Sequence, residues 1–350
     1  MSDLIPLEFL EELKRGRNLL AFSGGADSSA LYFLLQDYGI PFDIAIMDYG
    51  TRKQSRLEVS YAQNLCFLDK KQCFVEYAPP ILGNFESNAR KLRYEFFESL
   101  VARFGYTHLI LAHQLNDALE WFLMQFCKGT SVQMMQISPR VPRATYCILR
   151  PLWQTSRAQI LHYLQKNQIF YFEDFSNWNP HFRRNYFRAN FTDKLLSEFQ
   201  SGIAFSLRLL NEESRQDNEN LNNKIFEIPT LGLFCVLELE SLQDALGVAD
   251  FVCKVCGVLL SRAQKLELKE LLREENFSLV FKHRISIEKA RGKLFFAPYL
   301  HCKPTIPRRI RERYRLLGIP KKFRIFLFCA RILGAEQRVL DKIANLKERK

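Results

Sequence analysis

Apolar runs and amphipathic stretches alternate along the first 170 residues. Asn18 to Ser23 is a short apolar run closed by Gly24 and Gly25, the pattern of a buried strand. Ala26 to Gly39 follows, with Ala30, Leu31, Leu34 and Leu35 on one face at helical spacing, and Pro41 lies just past its end. The same reading predicts strands at Phe42 to Met47, Cys73 to Tyr77, His108 to His113 and Cys147 to Trp153. It predicts helices at Gln54 to Leu68, Asn84 to Phe104, Leu115 to Cys127 and Arg157 to Gln168. Strand–helix alternation of this kind predicts an α/β fold, a doubly wound parallel sheet covered on both faces. Ligands of such sheets sit at the C-terminal ends of the strands. Three of the runs lead there into unusual polar residues, at Ser23, Asp48 and His113.

The rest of the chain reads differently. Glu198 to Asn223 is polar, charge-rich and predicted helical, and Ile225 to Leu300 mixes strand and helix signals. Residues 301–350 hold 15 Lys+Arg against 4 Asp+Glu, a net +11 of the chain's +12. The densest part is Arg308 to Arg315, followed by Lys321 to Arg324. Interleaved Ile, Leu and Phe and the Gly318-Ile-Pro320 turn argue for a folded region rather than a solvated tail. The expected organisation is 1–195, a catalytic domain; 196–300, a helical connector and accessory domain; and 301–350, a small basic C-terminal domain.

Composition excludes several classes. With 350 residues and 47% hydrophobic content the chain can bury a sizeable core. No run approaches the ~18 apolar residues of a membrane helix, and Met1 to Arg17 lacks the apolar centre of a secretory signal. Nine scattered cysteines then read as reduced thiols of a cytoplasmic protein. Cys253-Lys-Val-Cys256 has no second Cys or His pair at finger spacing and reads as one face of a helix. The 30 phenylalanines read as core filling.

Ser23-Gly-Gly-Ala-Asp27-Ser28-Ser29 carries the most specific chemistry. Two glycines let the backbone approach a ligand, and the next helix begins with unpaired N–H groups that suit phosphate. No Lys follows, so this is not a Walker loop, and G-x-G-x-x-G is absent. Arg90 and Arg93 share a helix face and offer forks for phosphate, or form a solvated basic face. Asp117 and Glu120, also three apart, suit Mg²⁺ or an ammonium group, or complement a helix dipole. His113 stands beside them.

The Ser-Gly-Gly-x-Asp-Ser turn resembles the pyrophosphate loop of the N-type ATP pyrophosphatases, which have the adenine nucleotide alpha hydrolase-like fold. Further segments resemble the tRNA(Ile)-lysidine synthetase family within that superfamily. They are Met47-Asp-Tyr-Gly-Thr-Arg52 with Ser55 and Glu58, Glu86-x-x-x-Arg90-x-x-Arg93-Tyr94, His113-Gln-Leu-Asn116-Asp117-Ala-Leu-Glu120, Arg150-Pro-Leu-Trp153, Glu173-Asp174-x-Ser176-Asn177 and Arg184-Asn185-x-x-Arg188. Order and spacing agree over residues 18–195. Here Asn116, Gln114, Ala118 and Trp121 stand where the family usually has Asp, His, Gln and Thr.

The resemblance implies ATP, Mg²⁺, free L-lysine and an isoleucine tRNA with a CAU anticodon as ligands. It implies that Ser23, Gly24, Gly25, Ala26, Asp27, Ser28 and Arg52 hold ATP, with Asp27 and Asp117 toward the metal. Asp117 and Glu120 would orient lysine or metal, Arg93 and Arg184 would offset charge on the α-phosphate, and His113 would be a hydrogen-bond partner. Phe182 to Arg188 interleaves rings and bases, as RNA contacts do. A thiolase of the same superfamily would need paired cysteines, which the spacings of Cys66, Cys73, Cys127 and Cys147 do not supply. A tRNA-binding protein without catalysis would not need the intact loop at Ser23 to Ser28.

Overall fold

The computed structural model describes residues 4–50, 54–130, 135–173, 183–222, 224–238, 242–302 and 304–344. The chain divides into two compact units, residues 1–124 with 136–209, and residues 125–135 with 210–350.

The first unit is built on a six-stranded sheet. Its strands are β1 (Asn18–Ala21), β2 (Phe42–Asp48), β3 (Cys73–Tyr77), β4 (His108–Ile110), β5 (Arg140–Pro142) and β6 (Cys147–Leu149), in the order β3-β2-β1-β4-β6-β5. All neighbours are parallel except β5, which pairs antiparallel with β6 at the edge. The helices are α1 (Leu10–Arg15), α2 (Ala26–Asp37), α3 (Ser55–Leu68), α4 (Phe85–Phe104), α5 (Leu115–Cys127) and α6 (Arg157–Lys166), then α7 (Arg183–Phe187) and α8 (Asp193–Asn222).

The apolar strands cover both sheet faces because successive side chains point to opposite sides. Leu20, Ile44, Ile110 and Leu149 pack with residues of α2, α3 and α6 such as Leu31, Val59 and Ile160. Their neighbours Leu19, Ala45, Leu109 and Ile148 pack with Phe97, Leu100 and Val101 of α4. A smaller core joins Leu115 and Leu119 of α5 to Trp153, Leu196 and Leu207. The doubly wound expectation is met, with one addition. The edge strand β5 lay outside the predicted elements because a three-residue strand carries little periodicity, whereas β6 falls within the strand expected at Cys147 to Trp153.

The second unit has an antiparallel five-stranded sheet in the order β7-β8-β11-β10-β9. Its strands are β7 (Ile225–Ile228), β8 (Gly232–Glu238), β9 (Phe277–Phe281), β10 (Ile285–Ala290) and β11 (Lys293–Pro298). One face carries α9 (Leu242–Val255) and α10 (Arg262–Leu271), packed on Cys235, Leu237, Ile287 and Phe296. Cys253 of α9 is buried in that core and Cys256, just past the helix, packs against it. The other face carries α11 (Arg308–Leu316), α12 (Lys321–Ile332) and α13 (Glu336–Ala344). There Phe234 and Phe295 of the sheet meet Tyr314, Phe323 and Phe326, all buried. The buried carboxylate of Glu288 accepts from the Lys322 and Phe323 N–H groups at 3.1 and 2.7 Å, capping α12. The basic C-terminal segment is therefore folded onto the sheet. Among the described residues no helix is long and apolar enough to cross a membrane.

Candidate functional site

The turn between β1 and α2 is shaped by its small residues. Gly24 has φ +74°, the left-handed region. A Cβ there would stand 3.3 Å from the Phe172 ring, a tight approach that the ring would have to yield to, and 3.5 Å from Glu58, an ordinary contact. The Phe172 N–H donates to the Gly24 carbonyl at 2.9 Å, and residue 172 bridges Gly25 as an added parallel strand residue. Tyr61 Oη donates to the Phe170 carbonyl at 2.8 Å and Gln54 Nε2 to that of Glu173 at 3.1 Å, which straps this segment over the loop. Ser28 Oγ accepts from the Ser23 N–H at 3.2 Å and donates to the Gly25 carbonyl at 3.1 Å. No side chain caps α2, so the N–H groups of Ala26, Asp27 and Ser28 stay available at the positive end of the helix. Such a turn suits an anion.

Asp27 lies in this turn. Its Oδ1 is buried without a partner, and its Oδ2 lies 4.0 Å from Arg157 Nη1. Burial, and then the nearby Asp117 charge, push its carboxyl up to about 7 despite Arg157, Arg188 and Arg184. An orphaned carboxylate oxygen in such a turn fits Mg²⁺, a hard cation that takes oxygen ligands from protein and phosphate together.

At the C-terminal end of β4 the chain turns into α5 and delivers His113, Asp117 and Glu120. Glu120 has no exposed surface. It accepts from Arg184 Nε at 2.7 Å and Arg188 Nε at 2.6 Å. Asp117 accepts from the Gln114 N–H at 3.1 Å and from Arg184 Nη2. Burial acts most strongly on the Asp117 carboxyl and raises it, but Arg184, His113, the Gln114 N–H and Arg188 together outweigh it, and the group sits below its ordinary value. Arg184 is held charged above its usual range, chiefly by Asp117 and against burial. Both arginines come from α7 and the π-turn Arg188–Thr192 that follows it, an irregularity common where side chains must be aimed.

Arg150 Nε donates to His113 Nδ1 at 3.2 Å, so the imidazole carries its proton on Nε2. Burial pushes His113 down to about 3, with Asp117 opposing and Arg150, Arg184 and Arg90 assisting, so the ring is neutral near pH 7.

The structure thus gathers Asp27, His113, Asp117, Glu120 and Arg184 near one another and adds Arg188, Arg150 and Arg157. Arg157 escaped the motif reading because it reads as the first residue of a helix capped by Ser156, whose hydroxyl accepts from the Gln159 N–H. Arg93 lies elsewhere on the same rim. Burial raises the Tyr49 phenol and the Arg93 charge opposes that rise, and no hydrogen bond or ion pair joins Arg93 to the acid–arginine cluster among the described residues. Arg52, with Asp174, Ser176, Asn177 and Phe182 of the motifs, lies outside the described residues. Asn116 is spoken for: its Nδ2 donates to Asp193 Oδ1 at 2.9 Å and its Oδ1 accepts from the Arg157 N–H at 3.0 Å. It braces α6 and α8. Both Asp117 oxygens are likewise engaged, which leaves Asp27 as the better fit to a metal.

Cys66 and Cys73 are brought near each other by the turn from α3 to β3, where the Cys66 thiol donates to the Gln72 carbonyl at 3.7 Å. Their spacing concealed this. They stand at the N-terminal end of β3, opposite the end of the sheet that carries the site.

Residues 6–195 match the PP-loop domain family. A tRNA(Ile)-lysidine synthase from Wolinella succinogenes is 39% identical over 333 residues, covering 95% of this chain and 99% of the relative. The enzyme of the same name from Helicobacter pylori is 38% identical over 322 residues, 91% of each chain. That from Campylobacter jejuni is 39% identical over 324 residues, 92% of this chain and 95% of the relative.

Proposed function

The chain belongs to the tRNA(Ile)-lysidine synthase family, and on that footing we propose how its residues divide the work of making lysidine. The family reaction joins the ε-amine of lysine to C2 of the wobble cytidine, with ATP consumed. The C2 oxygen is first adenylylated and pyrophosphate leaves; lysine then attacks C2, AMP departs and the ammonium proton is lost. Adenylylation is needed because an oxygen on a ring carbon leaves poorly until it is phosphorylated. The cytidine must be unstacked to reach such a site.

The observation that carries the assignment is the pairing of an unpartnered Asp27 oxygen with the open N-terminus of α2. In this reading the N–H groups of residues 24–28 and the Ser23 and Ser28 hydroxyls hold the pyrophosphate portion of ATP. Asp27 would hold Mg²⁺, which when bound would supply positive charge to offset that of the phosphates. Arg184 and Arg157 stand at the rim to meet the α-phosphate as charge develops, with Arg93 approaching from α4. Glu120 fixes Arg188 and aims Arg184. Arg184 is the more exposed of the two, with 46% of its side chain open against 16% for Arg188. When it turns to phosphate, Asp117 and Glu120 are released to hold the lysine ammonium. His113 presents its Nε2–H, set by Arg150, to an acceptor oxygen.

The test uses Asp27→Ala. Pyrophosphate release should vanish while tRNA binding persists. Retained pyrophosphate release would remove Asp27 from the metal role.

A further inference from the structure

Cys302 and Cys329 stand 27 positions apart in the chain, yet their sulfur atoms lie 4.0 Å from each other. Cys302 is exposed and Cys329 half-buried. Packing within the second unit sets both positions. The chain leaving β11 is anchored up to the residue before Cys302. The Tyr299 N–H donates to the Arg284 carbonyl at 2.8 Å, and Leu300 packs on the phenylalanine core. The His301 ring stands 5.2 Å from that of Tyr299 and 6.3 Å from that of His283. Cys329 belongs to α12, which Phe326, Leu327 and Ala330 hold on the sheet. The two thiols therefore meet because two separately anchored segments converge.

The sulfurs need to approach by about 2 Å to reach the length of a disulfide bond. Rotation of the exposed Cys302 side chain, which lies outside any helix or strand, supplies much of that movement. The two thiols differ in environment. Burial, and then the neighbouring Cys302, push the Cys329 thiol up to about 11, so it stays protonated near pH 7. Cys302 is the sulfur that an oxidant from solution meets first.

We propose that Cys302 and Cys329 are a reversible oxidation site, a dithiol that closes to a disulfide on reaction with a hydroperoxide. The Cys302 thiolate attacks one peroxide oxygen and the O–O bond breaks. The sulfur becomes a sulfenic acid, and the departing hydroxide takes up the thiol's proton as water. The Cys329 sulfur then attacks the Cys302 sulfur and gives up its proton. The S–O bond breaks and a second water leaves. In sum the two thiols lose two electrons and two protons, and one hydrogen peroxide becomes two waters. The bridge encloses α11, with its run from Arg308 to Arg315, and ties the segment that leads into it to α12. A small dithiol reverses the bridge by exchange.

The experiment treats the reduced full-length chain with hydrogen peroxide, removes the peroxide with catalase, alkylates the remaining thiols and maps the peptides by mass spectrometry. Two of the nine thiols should be lost, in one linked peptide pair that carries Cys302 and Cys329, and dithiothreitol should restore both. Closing a loop of about 28 residues should raise the melting midpoint by about 5–10 °C over the reduced protein. Cys302→Ser removes an exposed side chain, so the reduced variant should melt with the wild type, and peroxide should neither link it nor raise its midpoint. Cys329→Ser should stop at the sulfenic acid, which dimedone traps on Cys302. A bridge at Cys66 and Cys73 in place of this one, over-oxidation of Cys302 without a linked peptide, or an oxidised wild type whose midpoint does not rise overturns the proposal.

Discussion

Replacing Glu120 by Gln removes one charge from the centre of the site and keeps the volume. The side chain is wholly buried and receives Nε donors from Arg184 and Arg188 at 2.7 and 2.6 Å. Removing one partner from a buried ion pair costs ~3–5 kcal/mol, because the remaining charge is left uncompensated. Two features place this case at the lower end. Asp117 Oδ1 remains within 3.9 Å of Arg188 Nη2, and Arg184, 46% exposed, can turn into water. The expected cost is therefore about 3 kcal/mol, or ~6–12 °C in the melting temperature of a unit of roughly 200 residues. Thermal unfolding followed by circular dichroism measures it. Arg188→Gln should cost more than Arg184→Gln, since Arg188 is the less exposed. The double variant Glu120→Gln/Arg188→Gln should show a coupling of about 0.5–3 kcal/mol. A melting temperature within 2 °C of wild type for Glu120→Gln would refute the reasoning, as would a larger loss from Arg184→Gln.

Further outcomes follow from the same geometry. Gly24→Ala should weaken ATP binding at least tenfold, because the left-handed φ costs ~1–2 kcal/mol and the new methyl presses on Phe172; equilibrium binding of ATP with Mg²⁺ measures it. The His113 ring should stay neutral from pH 8 to pH 5 in the ligand-free protein, so its proton chemical shifts should not titrate near 6.5 in that window. Asp27 binds its proton more tightly folded than unfolded, so the folded state holds more protons between about pH 4 and 7. Stability from that group is present at low pH and lost as pH rises to 7, and the wild type should fall relative to Asp27→Asn over that range in denaturant titrations. Arg308→Gln/Arg309→Gln/Arg311→Gln should reduce tRNA affinity and its salt dependence without lowering the melting temperature, since all three side chains are exposed. Deleting residues 301–350 should instead unfold the second sheet, because Tyr314, Phe323 and Phe326 leave its core.

The readable parts of the site are those where local sequence and function coincide. Gly24, Gly25, Asp27 and the α2 start form one continuous turn, so their chemistry shows in the order of residues alone. Asp117 and Glu120 were visible as an i, i+3 pair, but their binding to Arg184 and Arg188 joins positions more than sixty residues apart. The function of Asn116 was hidden for the same reason: its partners are Asp193 and the backbone of Arg157. Phe172 carries no motif, yet its backbone N–H holds the Gly24 carbonyl. The five-stranded sheet was only partly legible because both its faces are covered, which removes the alternation that marks a half-exposed strand. Charge changes at residue 300, whereas packing follows the phenylalanines across it.

The central claim is that this protein joins lysine to tRNA through an adenylylated base. Incubating the full chain with ATP, Mg²⁺, labelled lysine and the CAU-anticodon isoleucine tRNA, and measuring pyrophosphate and RNA-bound label together, tests it directly. Equal yields of the two are expected, both abolished when the wobble cytidine is replaced by uridine. Pyrophosphate without bound lysine, or label that survives that replacement, would contradict it.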